Sequence, residues 1–295
     1  MYLLLSVLVL APFWSLSTAS PEMLLAEVQQ MASAETNEGR FDVLSALLRK
    51  RNLPFIVEAF TIEEPVGREP RTEGRNVIVT LGEGDREIVV GAHYDAARLS
   101  DGSLSRGATD NAASSVMLVG LAEAIRAERL PLQVKVVWFD MEELGLIGSG
   151  RYVKIHGVER IAAMLNFDIN AYGDTIVFGP SEPELNAGLR QTLAETCASE
   201  RRNCVAFPQM PPGDDRSFLG AQVPTLSIAQ LPAVEVHQLW LLMNAQKDSG
   251  LVQGHVPAIL RTIHTADDTA AKVDGESMAR LLEFAKTLVR KAAVR

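Results

Sequence analysis

Val134-Lys135-Val136-Val137-Trp138-Phe139, followed at once by Asp140-Met141-Glu142-Glu143-Leu144-Gly145, is the densest strand signal in the chain and its most acidic strand end. A short apolar run rich in β-branched and aromatic residues reads as a central strand, and a helix is expected from about Leu144. Immediately upstream, Asn111 to Leu130 carries apolar residues at helical spacing. Further upstream, Val77-Ile78-Val79-Thr80-Leu81, the turn Gly82-Glu83-Gly84-Asp85 and Ile88-Val89-Val90-Gly91 form a hairpin signature. Phe55 to Phe60 is another extended stretch, and Met23 to Met31 and Phe41 to Leu48 are expected to be packing helices. Downstream, strands over Ala163 to Phe167, Thr175 to Phe178 and Pro224 to Ile228 alternate with helices near Glu182 to Ser199, Val234 to Ala245 and Glu276 to Lys291. Such alternation predicts an α/β fold, a three-layer sandwich whose central mixed, mostly parallel sheet is flanked by helices. With no repeat, low-complexity tract or linker in view, residues 20–295 are read as one domain.

Composition narrows the class. Hydrophobic residues make up 47% and charged residues 22% of 295, which fits neither a multi-span membrane protein nor a disordered chain. The formal charge of -9, without a dense Lys/Arg stripe, argues against a nucleic-acid partner. Met1 to Trp14 is almost wholly apolar, and Ser17-Thr18-Ala19 supplies small residues of the kind at which a signal peptidase cuts. Residues 1–19 are therefore expected to be an export signal, leaving a periplasmic or extracellular protein with no stable membrane association. No Lys or Arg precedes the run, and the competing expectation is an uncleaved anchor, for which the run is shorter than the ~20 residues that span a bilayer. Cys197 and Cys204 are the only cysteines; they read either as a short-range disulfide or as two free thiols.

The chemistry-bearing residues cluster where strand patterns run out. In Gly91-Ala92-His93-Tyr94-Asp95 a buried strand ends in an imidazole, at the edge where α/β folds place ligands, and Asp95 is positioned to accept from its other ring nitrogen. Gly107 to Ser114 leads into a helix, so Asp110 is either that helix's N-cap or a ligand that gives one oxygen to each of two cations ~3.5–4 Å apart. Glu142 and Glu143 are adjacent, so their side chains diverge. One can ligate a metal while the other stays free as a base. Leu165-Asn166-Phe167-Asp168 repeats the acid-after-strand pattern, and Ile263-His264-Thr265-Ala266-Asp267-Asp268-Thr269 supplies a second histidine. Three carboxylates and two imidazoles gathered in one pocket call for divalent cations.

In that order these motifs resemble the zinc-dependent exopeptidase family of bacterial leucyl aminopeptidases, glutamate carboxypeptidases and glutaminyl cyclases, over roughly Asn76 to the C-terminus. The resemblance implies a metallopeptidase catalytic domain with two Zn2+ per chain. His93 and Asp168 would hold one ion and Glu143 and His264 the other, with Asp110 bridging; Glu142 would be the general acid/base and Asp95 its catalytic-site partner. Peptides are the implied substrates. Cyclases of the family work with one zinc and carry a tryptophan just before the last histidine, where Ile263 stands here. Carboxypeptidase relatives insert a domain near the first metal histidine, and the short Ala96 to Thr109 stretch leaves no room for one. The resemblance therefore implies an exported dizinc aminopeptidase, with a glutaminyl cyclase or a catalytically inactive binding protein on the same scaffold as the alternatives. Asp214-Asp215-Arg216-Ser217-Phe218 is similar to a stretch that lines the pocket, but Arg216 replaces its usual histidine, and no role is assigned there.

Overall fold

In the computed structural model, residues 19–181, 184–245 and 256–294 are described. The expected signal segment up to Thr18 and the expected start of a helix at Glu182 lie outside them. Eight strands form one sheet: β1 (Ile56–Thr61), β2 (Glu73–Leu81), β3 (Glu87–His93), β4 (Gln133–Phe139), β5 (Ile161–Phe167), β6 (Thr175–Gly179), β7 (Cys204–Ala206) and β8 (Thr225–Leu231). Their order is β1-β2-β4-β3-β5-β8-β6-β7. The pairs β3/β4, β3/β5, β5/β8 and β6/β7 are parallel, and β1/β2, β2/β4 and β6/β8 are antiparallel.

The hairpin expected from Val77 to Gly91 is not formed. β4 lies between β2 and β3, antiparallel to the first and parallel to the second. The reason lies in β4 itself: Val134, Val136 and Trp138 face one core and Val137 and Phe139 the other. A strand apolar on both faces must be covered on both faces and belongs inside the sheet. Trp138 also donates its indole N–H to the Ser115 carbonyl at 2.9 Å, which ties β4 to the helix above it.

Alternation divides the core. Val77, Val79, Ile88, Val90 and Leu165 point to a face covered by α1 (Pro21–Ala32), α2 (Asn37–Lys50), α3 (Ala113–Ile125), α5 (Ala187–Ser199) and α9 (Gly275–Val294). Ile78, Val89, Met164 and Phe139 point the other way, against Tyr152 of α4 (Ile147–His156) and Phe218 of α6 (Asp215–Gly220). This period of two is what a sheet buried between helices requires. The helix after β4 begins at Ile147 rather than about Leu144, because Met141, Gly145 and Leu146 all have positive φ and the chain turns there first. The short elements β7, α6 and α8 (Ile259–Thr262) carry too few residues to show a period, and the sequence reading passes over them. α7 (Ala233–Asn244) packs beyond β6.

Local signals explain the two leading helices. Ser20 caps α1 by accepting the Met23 N–H at 3.3 Å, with Pro21 in the first turn. Thr36 caps α2 through the Gly39 N–H at 3.0 Å, and Glu38 and Arg49/Lys50 stand at the ends that the helix dipole favours for them. Cys197 and Cys204 are joined in a disulfide, which ties the end of α5 to β7.

Candidate metal centre

The parallel strands deliver their last residues to one edge. His93 ends β3, Asp168 directly follows β5, and Glu142 and Glu143 sit in the turn beyond β4. Asp110 is not an N-cap. It lies in a wide turn, Ala108–Ala112, at φ -121° and ψ 84°, and α3 begins after it. His264 comes from the loop after α8, with φ 56°. These six predicted side chains meet at this edge.

Asp110 lies between the histidines. Its Oδ1 is 3.1 Å from His93 Nε2 and its Oδ2 is 3.1 Å from His264 Nε2. Asp168 Oδ1 stands 3.5 Å from His93 Nε2, and Glu143 Oε2 stands 2.9 Å from His264 Nε2. Two groups thus bring ligand atoms within 4.8 Å of one another: His93, Glu142 and Asp168, and Asp110, Glu143 and His264. The donors also fit cations by chemistry. Among the described residues, His93 Nε2, Glu143 Oε1 and Asp168 Oδ1 are buried with no hydrogen-bond partner, and orphaned polar atoms of this kind are rare unless something else satisfies them. Nitrogen and oxygen donors together suit zinc and its neighbours in the first transition row.

Charge is concentrated here. Burial pushes Glu142 well above the ordinary carboxylate range, opposed by His93 and reinforced by Asp168, Asp214 and Glu143. Burial, with Asp110 nearby, raises Glu143 to about 7. Hydrogen bonds to Asp110 and Glu143 lift His264 to about 11. For Asp110, the two histidines outweigh burial and hold it below its usual value. Asp214 and Asp215 are fully buried near these groups, and burial raises them to about 7 and about 8.

Asp95 does more than the sequence suggests. His93 Nδ1 is 3.2 Å from the Asp95 backbone carbonyl and 3.4 Å from its carboxylate. The same carboxylate accepts the backbone N–H groups of Glu142 at 3.1 Å and Glu143 at 3.2 Å, so it also fixes the turn that presents both glutamates. Two further supports escape sequence reading. Asp268 accepts the Thr109 N–H at 2.9 Å and the Asp110 N–H at 3.1 Å; its place four residues after His264 was the only signal. Asp140, next to the acidic turn, takes a two-pronged hydrogen bond from Arg71 at 3.0 Å on each oxygen. Arg216 donates to the Met210 carbonyl at 3.0 Å.

Beside Asp168 opens a small apolar hollow walled by Ile169, Met210, Leu231, Leu239, Ile259 and Leu260. On the Glu143 and His264 side the edge is open and bordered by Arg68 and Arg98.

Over 104 residues the chain is 35% identical to an aminopeptidase of Pseudomonas aeruginosa, which is 34% of this chain and 18% of that protein; the chain thus spans about a fifth of the length of the curated relatives it matches. The fold is similar to that of a zinc aminopeptidase from Bacillus subtilis, with a TM-score of 0.71 and 11% identity over 93% of this chain and 95% of that one. It is similar as well to the glutaminyl cyclase of Porphyromonas gingivalis, with a TM-score of 0.69 and 15% identity over 92% and 98%. At such identities the likeness is one of fold. The model of peptidase family M28 matches residues 76–289, a span that holds all six clustered side chains, and the chain belongs to that family.

Proposed function

We propose that the chain is an exported aminopeptidase that removes the N-terminal residue of peptides at a centre of two zinc ions. The observation that carries this reading is Asp110, whose two oxygens each stand 3.1 Å from a different histidine. His93 and Asp168 would hold one ion and Glu143 and His264 the other, with Asp110 placed between the two histidines. Bound zinc supplies Lewis acidity, which polarises a scissile carbonyl and makes water easier to deprotonate.

The chain's own groups do the rest. Glu142 takes the proton of the attacking water and returns it to the departing amine. Burial favours that role, because it raises the carboxylate's affinity for a proton it must hold and then release. Asp95 keeps Glu142 in place through its backbone N–H. The acidic edge suits an α-ammonium group, and the hollow beside Asp168 suits an apolar first side chain such as leucine. Export is supported by the Cys197–Cys204 disulfide, a bond of oxidising compartments. Cleavage after Ala19 would leave Ser20, the cap of α1, in the mature chain.

The test compares release of a chromophore from leucine, alanine and arginine amides with cyclisation of a peptide bearing N-terminal glutamine, together with metal content. Hydrolysis is expected, fastest on leucine. Glu142→Gln should lose about 10²–10⁴-fold in kcat while keeping its metal. Cyclisation without hydrolysis would move the assignment to a cyclase, and neither activity in metal-loaded protein would favour a binding role.

A further inference from the structure

Arg40 is fully buried on α2, ahead of the family-matched span that begins at residue 76. Among the described residues its guanidinium makes hydrogen bonds to three backbone carbonyls and to no carboxylate. Nε donates to Tyr94, Nη1 to Arg106 at 3.0 Å, and Nη2 to Gly107 at 3.2 Å. Tyr94 separates His93 from Asp95, while Arg106 and Gly107 open the turn that carries Asp110. One planar fork therefore grips both loops. One helical turn earlier, Asn37 grips the first loop again: its Oδ1 accepts the Ala96 N–H at 2.9 Å, and its Nδ2 donates to the Ala96 carbonyl at 3.2 Å.

Burying an arginine without a contacting carboxylate is costly, and its carbonyl acceptors and nearby negative charge offset only part of that cost. Burial lowers the guanidinium's affinity for its proton, and Asp95, Asp110, Asp268 and Glu143 act the other way at longer range. The second loop is also sterically committed to this arrangement. Gly107 has φ +51°, and a Cβ there would meet the Asp110 carbonyl at 2.6 Å and the Arg40 Nη1 at 3.3 Å.

We infer that Arg40, seconded by Asn37, is a positioning residue that clamps the His93 loop and the Asp110 loop at metal-binding separation. The inference rests on the metallopeptidase reading above and adds to it a device from the N-terminal helices. A flexible ammonium has no rigid fork with which to bridge two loops, so lysine should not substitute.

The test is a zinc titration against a chromophoric chelator, run on the full chain as wild type, Arg40→Lys and Arg40→Gln, beside unfolding midpoints of the metal-free proteins. A purely structural arginine would lower those midpoints and leave the zinc affinity of the folded protein unchanged. The clamp instead requires both variants to bind zinc about 10–100-fold more weakly, as for other groups that orient ligands from behind. Zinc affinity within about twofold of wild type in either folded variant overturns it. Should neither variant fold, Asn37→Ala is read the same way: weaker zinc binding supports the clamp, unchanged binding overturns it. A wild type that takes up no zinc would instead refute the metallopeptidase reading itself.

Discussion

At the scale of single residues the centre is held by groups that are not themselves predicted ligands. Asp95 is the clearest case, since one carboxylate accepts from two consecutive backbone N–H groups, those of Glu142 and Glu143. An amide has one acceptor oxygen where a carboxylate has two, so Asp95→Asn should release one of these N–H groups. Turnover is then expected to fall about 10–100-fold with KM little changed, because the glutamates are displaced while the apolar hollow beside Asp168 is untouched. Steady-state kinetics with a leucine amide checks this; a rise in KM at constant kcat would point to a role in substrate binding instead. Most of the side chains that meet at the edge were legible in the sequence because they follow an apolar strand or precede a helix, positions that need no knowledge of distance, whereas His264, in the loop after α8, was legible only through the order of the motifs. The supporting groups were not. Asp268 and Arg40 act on backbone atoms remote in sequence, Asp140 acts on the Arg71 guanidinium, and no spacing rule connects Arg40 with Gly107.

At the scale of elements, periodicity served where an element was long and failed where geometry depended on a neighbour. The strands from Val134 and from Ala163 and the helix from Glu276 carry a full period and lie where that period puts them. The hairpin reading failed because strand pairing depends on which strand needs covering on both faces, and the turn at Gly82 to Asp85 carries no information about β4. β7 is three residues long and is held by its bond to α5 as much as by pairing with β6. That bond is an element-scale device. The two cysteines are seven residues apart, and closing so short a loop restricts the unfolded chain by about 2–3 kcal/mol. Cys204→Ser should therefore lower unfolding stability by about that amount, measured in urea. It should leave zinc content unchanged, because no predicted ligand lies on α5 or β7. Loss of metal in this variant would show that the far edge of the sheet communicates with the centre.

At the scale of the whole molecule, acidity and metal binding pull in opposite directions with pH. In protein stripped of ions, burial raises Glu143 and Asp214 to about 7 and Asp215 to about 8, whereas carboxylates in an unfolded chain titrate near ~4. Between those values the folded state holds protons that the unfolded state has released. The resulting stability is full below about pH 4 and is lost as pH rises through about 7–8. His264, raised to about 11, acts in the same sense: its contribution is complete below about pH 6.5 and fades as pH rises through its folded value. The formal charge of -9 adds self-repulsion of the same sign. Zinc reverses the trend, because protons compete with it for imidazole and carboxylate alike, so its binding tightens as pH rises. The chelated protein should therefore melt lower at about pH 8 than at about pH 5.5, and the increment in melting temperature on adding zinc should be larger at the higher value. Thermal unfolding with chelator and with zinc at both values decides it. A chelated protein more stable at the alkaline value would mean that the buried carboxylates are satisfied by something other than protons or cations, and the ion-holding role assigned to this edge would have to be withdrawn.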